Sequence, residues 1–196
     1  MEEGYIKFGC FWEKTDPLPE EDTAEINEFR QRLHNLGLIG QYPDGIGYGN
    51  ISIRLSQDIF LITGSATGGI KQLTNNHFTL VKSFDFTRNE LHCSGPVQAS
   101  SESLTHAAIY ESQPQASAVI HIHHLPTWKK WLNLLPTTDP KIEYGSPEMA
   151  LAIQQIIFES SATSGIIIMS GHREGVIAYG ENIQQAFDLI LLHLEK

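Results

Sequence analysis

Short β-type runs alternate with amphipathic helical runs from about residue 23 to the end of the chain. A pattern of this kind buries its apolar faces only by stacking helices on a sheet, so it points to one layered α/β or α+β domain. The helical runs start at Asp22-Thr23 (to about Leu38, with Ile26, Phe29, Leu33 and Leu36 at helical spacing), at Ser101 (to Glu111), at Pro126, at Ser146-Pro147-Glu148, and at Glu181 (to Glu195). The strand-like runs are 51–55, 59–63, 78–86, 90–93, 118–123, 165–170 and 176–179. A glycine-rich turn, Asp44 to Gly49, separates the first helix from the first strand. No Pro/Gly/Ser linker divides the 196 residues, a length that suits one domain with a real core. Residues 1–22, with Phe8, Phe11 and Trp12, read as an N-terminal arm packed on a domain of residues 23–196.

Charge narrows the partners. Lys plus Arg is 13 and Asp plus Glu is 23, so the formal charge is −10. A basic face that would neutralise nucleic-acid phosphates or dock on anionic lipid is not expected. No apolar run is long enough to span a bilayer, and the acidic Met1-Glu2-Glu3 start shows no leader pattern, so a cytoplasmic location is expected. Cys10 and Cys93 lack metal spacing and read as small, reduced, buried or half-buried residues.

The sharpest local signal is Val119-Ile120-His121-Ile122-His123-His124. Residues two apart on a strand share a face, so His121 and His123 aim two imidazoles at one point while Ile122 enters the opposite layer. Neutral imidazole suits zinc, iron, nickel and copper. His172, in Ser170-Gly171-His172 after another apolar strand, is the candidate third ligand, its glycine letting the chain turn back. The alternative is three polar residues on an exposed face, but apolar strands leading into both positions favour a metal. His124 points away and reads as structural or as a support to the metal ligands; His34, His77, His92 and His193 read as surface or capping residues; His106 shares a helix side with Glu102 and reads either as a support to the site or, more commonly for such a residue, as packing. H-E-x-x-H is absent, and Leu125 to Lys130 hold no carboxylate of the kind a cupin site uses.

Ala99-Ser100-Ser101-Glu102-Ser103 opens the helix before the histidine strand. Ser at an N-cap and Glu in a first turn are ordinary capping chemistry. The alternative follows from position: a helix start joined by one helix and a turn to a metal strand lies near the metal, where an ionised Glu102 moves protons next to a carbonyl. Gly49-Asn50-Ile51-Ser52 and Thr63 to Gly69 read either as tight β-turns or as donors that wrap an anion.

Taken in order, Gly49-Asn50-Ile51-Ser52, Thr63-Gly64, Ser100-Ser101-Glu102 with His106 to Tyr110, His121-Ile122-His123 and Gly171-His172 resemble the class II aldolase and adducin head-domain family, in particular its fuculose-phosphate-aldolase-like members. The resemblance covers most of the chain from about Thr23. It implies an α/β fold, a single three-layer αβα domain with a central, largely antiparallel sheet, and a cyclic homotetramer. It implies a divalent metal, zinc by preference, on His121, His123 and His172, with Glu102 as the acid/base. By the same resemblance Asn50, Thr63, Gly64, Ser100 and Ser101 line the substrate phosphate site. The expected reaction is cleavage of a hydroxy-ketone sugar or sugar phosphate to a small ketone fragment and an aldehyde through a metal-stabilised enediolate. Epimerase or dehydratase chemistry on the same site, or a non-catalytic adducin-like interaction module, are the alternatives. Glu rather than Asp at 102 resembles the aldolases more than the epimerase. The turn Ile62 to Gly68 departs from the commoner family turn, which has Pro-Ser-Gly after the threonine. The chain ends soon after its last helical run, and no tyrosine is assigned a catalytic part.

Overall fold

The computed structural model describes residues 5–195. In chain order its elements are β1 (Gly9–Lys14), α1 (Glu20–Asn35), β2 (Gly40–Gln41), β3 (Gly47–Tyr48), β4 (Asn50–Arg54), β5 (Phe60–Thr63), β6 (Phe78–Asp85), β7 (Glu90–Gly95), α2 (Ser103–Ser112), β8 (Ala118–His123), α3 (Leu125–Trp131), α4 (Pro147–Ser160), β9 (Gly165–Ile168), β10 (Gly175–Gly180) and α5 (Ile183–His193). One eight-stranded sheet has the order β1-β7-β6-β5-β4-β8-β10-β9, and β2 pairs with β3 separately. Within the large sheet every neighbouring pair is antiparallel except β1 with β7.

The period-two alternation of β8 sorts the layers. Val119 joins a core with Leu104 and Ala107 of α2 and Met149 and Ile153 of α4. Ala118, Ile120 and Ile122 join the other core, with Ile26, Phe29 and Leu33 of α1 and Ile183, Phe187 and Ile190 of α5. The result is the expected three-layer arrangement with a central, largely antiparallel sheet. Ile120 and Ile122 are fully buried, each stabilising the fold by about 1.5–3 kcal/mol relative to exposure. No helix among the described residues is long and apolar enough to cross a membrane.

Two boundaries differ from the sequence reading for identifiable reasons. Helix α1 begins at Glu20, where Glu20, Glu21 and Asp22 complement the positive end of the helix dipole. It stops at Asn35 rather than Leu38 because Gly37 adopts φ +72°. Its N–H donates to the His34 carbonyl and that of Leu38 to the Leu33 carbonyl, closing the last turn. Residues 9–14, which the sequence places in an arm, form the edge strand β1, tied to β7 by the ladder and by Trp12 Nε1–H donating to the Gly95 carbonyl at 2.9 Å. This pairing brings the free thiols of Cys10 and Cys93 to 3.8 Å.

Candidate metal centre

Strand β8 lies between β4 and β10, with His121 opposite Asn50 of β4 and His123 opposite Gly175 of β10. The two imidazoles share the face that carries Val119, and their Nε2 atoms are 3.0 Å apart. His172 comes from the turn between β9 and β10, held by its N–H to the Met169 carbonyl and by Gly175 N–H to its own carbonyl. Its ring centroid lies 5.0 Å from that of His121 and 4.6 Å from that of His123. One nitrogen from each ring falls within 4.8 Å of the others, and all three residues are at most 5% exposed. Gly171 serves this turn through its missing side chain: a Cβ there would sit 1.9 Å from the Ile142 carbonyl oxygen. Close approach, rather than left-handed backbone, is what demands glycine.

Burial, then the neighbouring imidazoles, hold His121 and His123 well below the ordinary histidine range, so both are neutral. His121 Nδ1 is 3.3 Å from the Val176 carbonyl oxygen, an obligate acceptor, so Nδ1 carries the proton and Nε2 a lone pair. That lone pair lies 3.0 Å from the His123 Nε2, so two imidazole nitrogens of the neutral rings converge on one point. The neutral nitrogen donor set therefore fits a divalent metal.

Glu102 departs from the capping reading. It occupies the N-cap position of α2 itself, and its side chain makes no capping bond. The Ser100 carbonyl instead accepts from the N–H and hydroxyl of Ser103. The buried Glu102 carboxylate accepts from Thr105 Oγ1 at 2.6 Å and places Oε1 at 3.6 Å from His172 Nδ1. Asn50, Gly64, Ser100 and Ser101 line one cavity with Glu102 and the three histidines. Thr63 is the exception among the expected lining residues: its hydroxyl turns back to accept from Ile51 N–H at 3.2 Å. Arg54 reaches the Pro114 carbonyl, and Lys71 is exposed, so neither adds charge to the cavity.

Three tyrosines that no sequence pattern singled out, Tyr5, Tyr48 and Tyr144, also line it. Tyr144 stacks on His172 with centroids 4.8 Å apart, and Lys7 Nζ lies 3.9 Å over the Tyr144 ring. The segment from Ser65 to Gly68 completes the wall, with Ala66 at φ +60° in place of a glycine. The remaining histidines follow their bland readings. His106 is wholly buried with Nδ1 2.7 Å from Ser52 Oγ, His124 caps α3, and His77 closes a capping box with Thr74.

Residues 34–129 match the class II aldolase and adducin N-terminal domain family. Comparison with curated protein sequences returns no match. Among solved structures, the chain is similar to an L-fuculose 1-phosphate aldolase (TM-score 0.64, 17% identity, covering 89% of this chain and 82% of that one). It is also similar to YgbL of Escherichia coli, described as a candidate aldolase, epimerase or decarboxylase (TM-score 0.63, 18% identity, 89% and 86% covered). A sugar-phosphate aldolase from Thermotoga maritima is similar at TM-score 0.60 and 19% identity, with 88% and 90% covered. At these identities the likeness is one of fold.

Proposed function

From the match of residues 34–129 to the class II aldolase and adducin N-terminal domain family, we propose that the chain is a metal-dependent lyase of the aldolase type, acting on a hydroxy-ketone sugar or sugar phosphate. The observation that carries this reading is the convergence of three buried imidazoles and the Glu102 carboxylate on one cavity rich in small polar residues. A binding module that performs no chemistry has no use for a buried carboxylate beside neutral metal-binding nitrogens.

His121, His123 and His172 would hold a divalent cation, which when bound would supply Lewis-acid polarisation of a hydroxy-ketone. Glu102 then has the acid/base part: it removes the proton from carbon next to the carbonyl in the condensing direction and returns it after bond cleavage. Thr105 orients that carboxylate by donating to Oε2, leaving Oε1 on the histidine side. Ser100, Ser101, Gly64 and Asn50 hold the far end of the substrate. No lysine or arginine is among the described lining residues of this chain. Zinc as the cation, a homotetrameric assembly and a cytoplasmic location belong to the same proposal.

The test combines metal analysis with a sugar-phosphate cleavage screen that traps the released aldehyde. Wild type is expected to hold one divalent ion per chain, and His123→Ala none. Glu102→Gln keeps the size of the side chain but accepts no proton. It is expected to retain the metal and lose at least about a hundredfold in turnover. Less than about a tenfold loss with metal retained removes Glu102 from the chemistry.

A further inference from the structure

We propose that Tyr42 and Glu174 are positioning residues that hold His123 in the tautomer with its proton on Nδ1, so that its Nε2 lone pair faces His121 and His172. The inference rests on the metal-binding reading above and deepens it. The Tyr42 hydroxyl oxygen lies 2.9 Å from His123 Nδ1 and 2.9 Å from Glu174 Oε2. A phenol has one proton to give, and an ionised carboxylate only accepts. The Tyr42 proton therefore goes to Glu174, and the phenol oxygen accepts from His123 Nδ1–H. The chain of donors runs one way, from imidazole to phenol to carboxylate, and leaves Nε2 as the lone-pair nitrogen. Partners of this kind orient a metal-binding imidazole and raise its basicity.

The fold holds both partners in place. Tyr42 N–H donates to the Ile46 carbonyl at 2.8 Å, and its ring packs against Tyr48 with centroids 4.6 Å apart. Glu174 is one of the non-glycine residues with positive φ, at +73°. That conformation costs a side-chain-bearing residue about 1–2 kcal/mol, and such strain persists where the surroundings over-determine it. The Glu174 carbonyl accepts from His124 N–H at 2.9 Å, so the strained residue is pinned to the end of β8 next to His123. A glycine would make this turn without strain, and Gly175 stands one residue later. The position nonetheless carries the carboxylate that Tyr42 needs.

The test reads the tautomer and the metal separately. Long-range proton–nitrogen NMR on metal-free wild type is expected to show His123 protonated at Nδ1 and bare at Nε2. Tyr42→Phe removes only the hydroxyl and is expected to populate the other tautomer. Zn²⁺ affinity, measured by competition with a chromophoric chelator, is expected to fall about 10–100-fold in Tyr42→Phe and in Glu174→Gln. Glu174→Gly relieves the backbone strain, so its melting temperature is expected to hold or rise while Zn²⁺ affinity still falls. A purely turn-forming Glu174 would leave affinity unchanged in that variant. Wild-type His123 protonated at Nε2, or Zn²⁺ binding within about twofold of wild type in both Tyr42→Phe and Glu174→Gln, overturns the proposal. Wild type that binds no Zn²⁺ overturns the metal reading instead, and the metal-free NMR result still decides the tautomer.

Discussion

Arg30 of α1 and Gly68 of the cavity wall are joined by a hydrogen bond of 2.9 Å from guanidinium Nη2 to the glycine carbonyl. The same nitrogen donates to the Thr67 carbonyl at 3.0 Å, and Nη1 reaches the Lys71 carbonyl at 3.4 Å. Arg30 is only 1% exposed, so a buried cation holds the back of the loop whose front lines the cavity. A buried carbonyl left without its donor costs about 1–3 kcal/mol. Arg30→Met, which keeps the length of the side chain, is therefore expected to lower stability by at least about 2 kcal/mol in urea unfolding. Arg30→Lys is expected to recover only part of it, because one ammonium cannot span the fork. A loss under about 0.5 kcal/mol for the Met variant would show that the loop does not depend on Arg30.

Gly171→Ala tests the close approach at the His172 turn. Its Cβ would meet the Ile142 carbonyl at 1.9 Å, and backbone on both sides must move. Forced displacement of packed structure costs typically about 1–3 kcal/mol. The variant is expected to lose that much stability and, because His172 is the next residue, to lose stoichiometric metal by elemental analysis. Retained metal with an unchanged melting temperature would place the turn among the adaptable parts of the fold.

His106 sets an acid limit on stability. It is wholly buried, and burial lowers its pKa to about 3 from the ordinary 6.5. The unfolded chain takes up a proton near pH 6.5 while the folded chain does not. The associated stability is present in full above about pH 6.5 and is lost as pH falls toward 3, by up to about 1.4 kcal/mol per pH unit. His121 and His123 act in the same direction. Urea unfolding of metal-free wild type and of His106→Gln between pH 7 and pH 4.5 is expected to show a shallower pH slope in the variant by about one proton. Equal slopes would mean that His106 is protonated in the folded state without cost.

Legibility in the sequence tracked how local each feature is. The β8 strand and its two histidines were readable because period-two alternation alone decides which face each side chain takes. His172 was readable because it follows an apolar strand and a glycine. Strand β1 was not: it is an edge strand with only Cys10 and Trp12 turned partly inward, a weak alternation beside Phe11, which stays exposed. Thr63 shows the limit at the site itself: its identity suited a polar cavity, yet its hydroxyl turns to the Ile51 amide. Glu102 was legible as a carboxylate near the histidines from its place before the histidine strand, whereas its bond from Thr105 and its nearness to His172 come only from the packing.

By itself the amino-acid sequence determined the alternation of helices and strands, the pairing of His121 with His123 on one face, and the layered class of the fold, because each follows from spacing over a few residues. Only the tertiary structure decided that Tyr42, His123 and Glu174 meet, that Arg30 holds the cavity wall, and that Tyr144 lies on His172. Those partners are separated by 28 residues in the closest case, Tyr144 with His172, by 38 between Arg30 and Gly68, and by 81 between Tyr42 and His123. Contacts at such separations are set by how the layers pack, and no local spacing rule encodes which side chains the packing brings within reach.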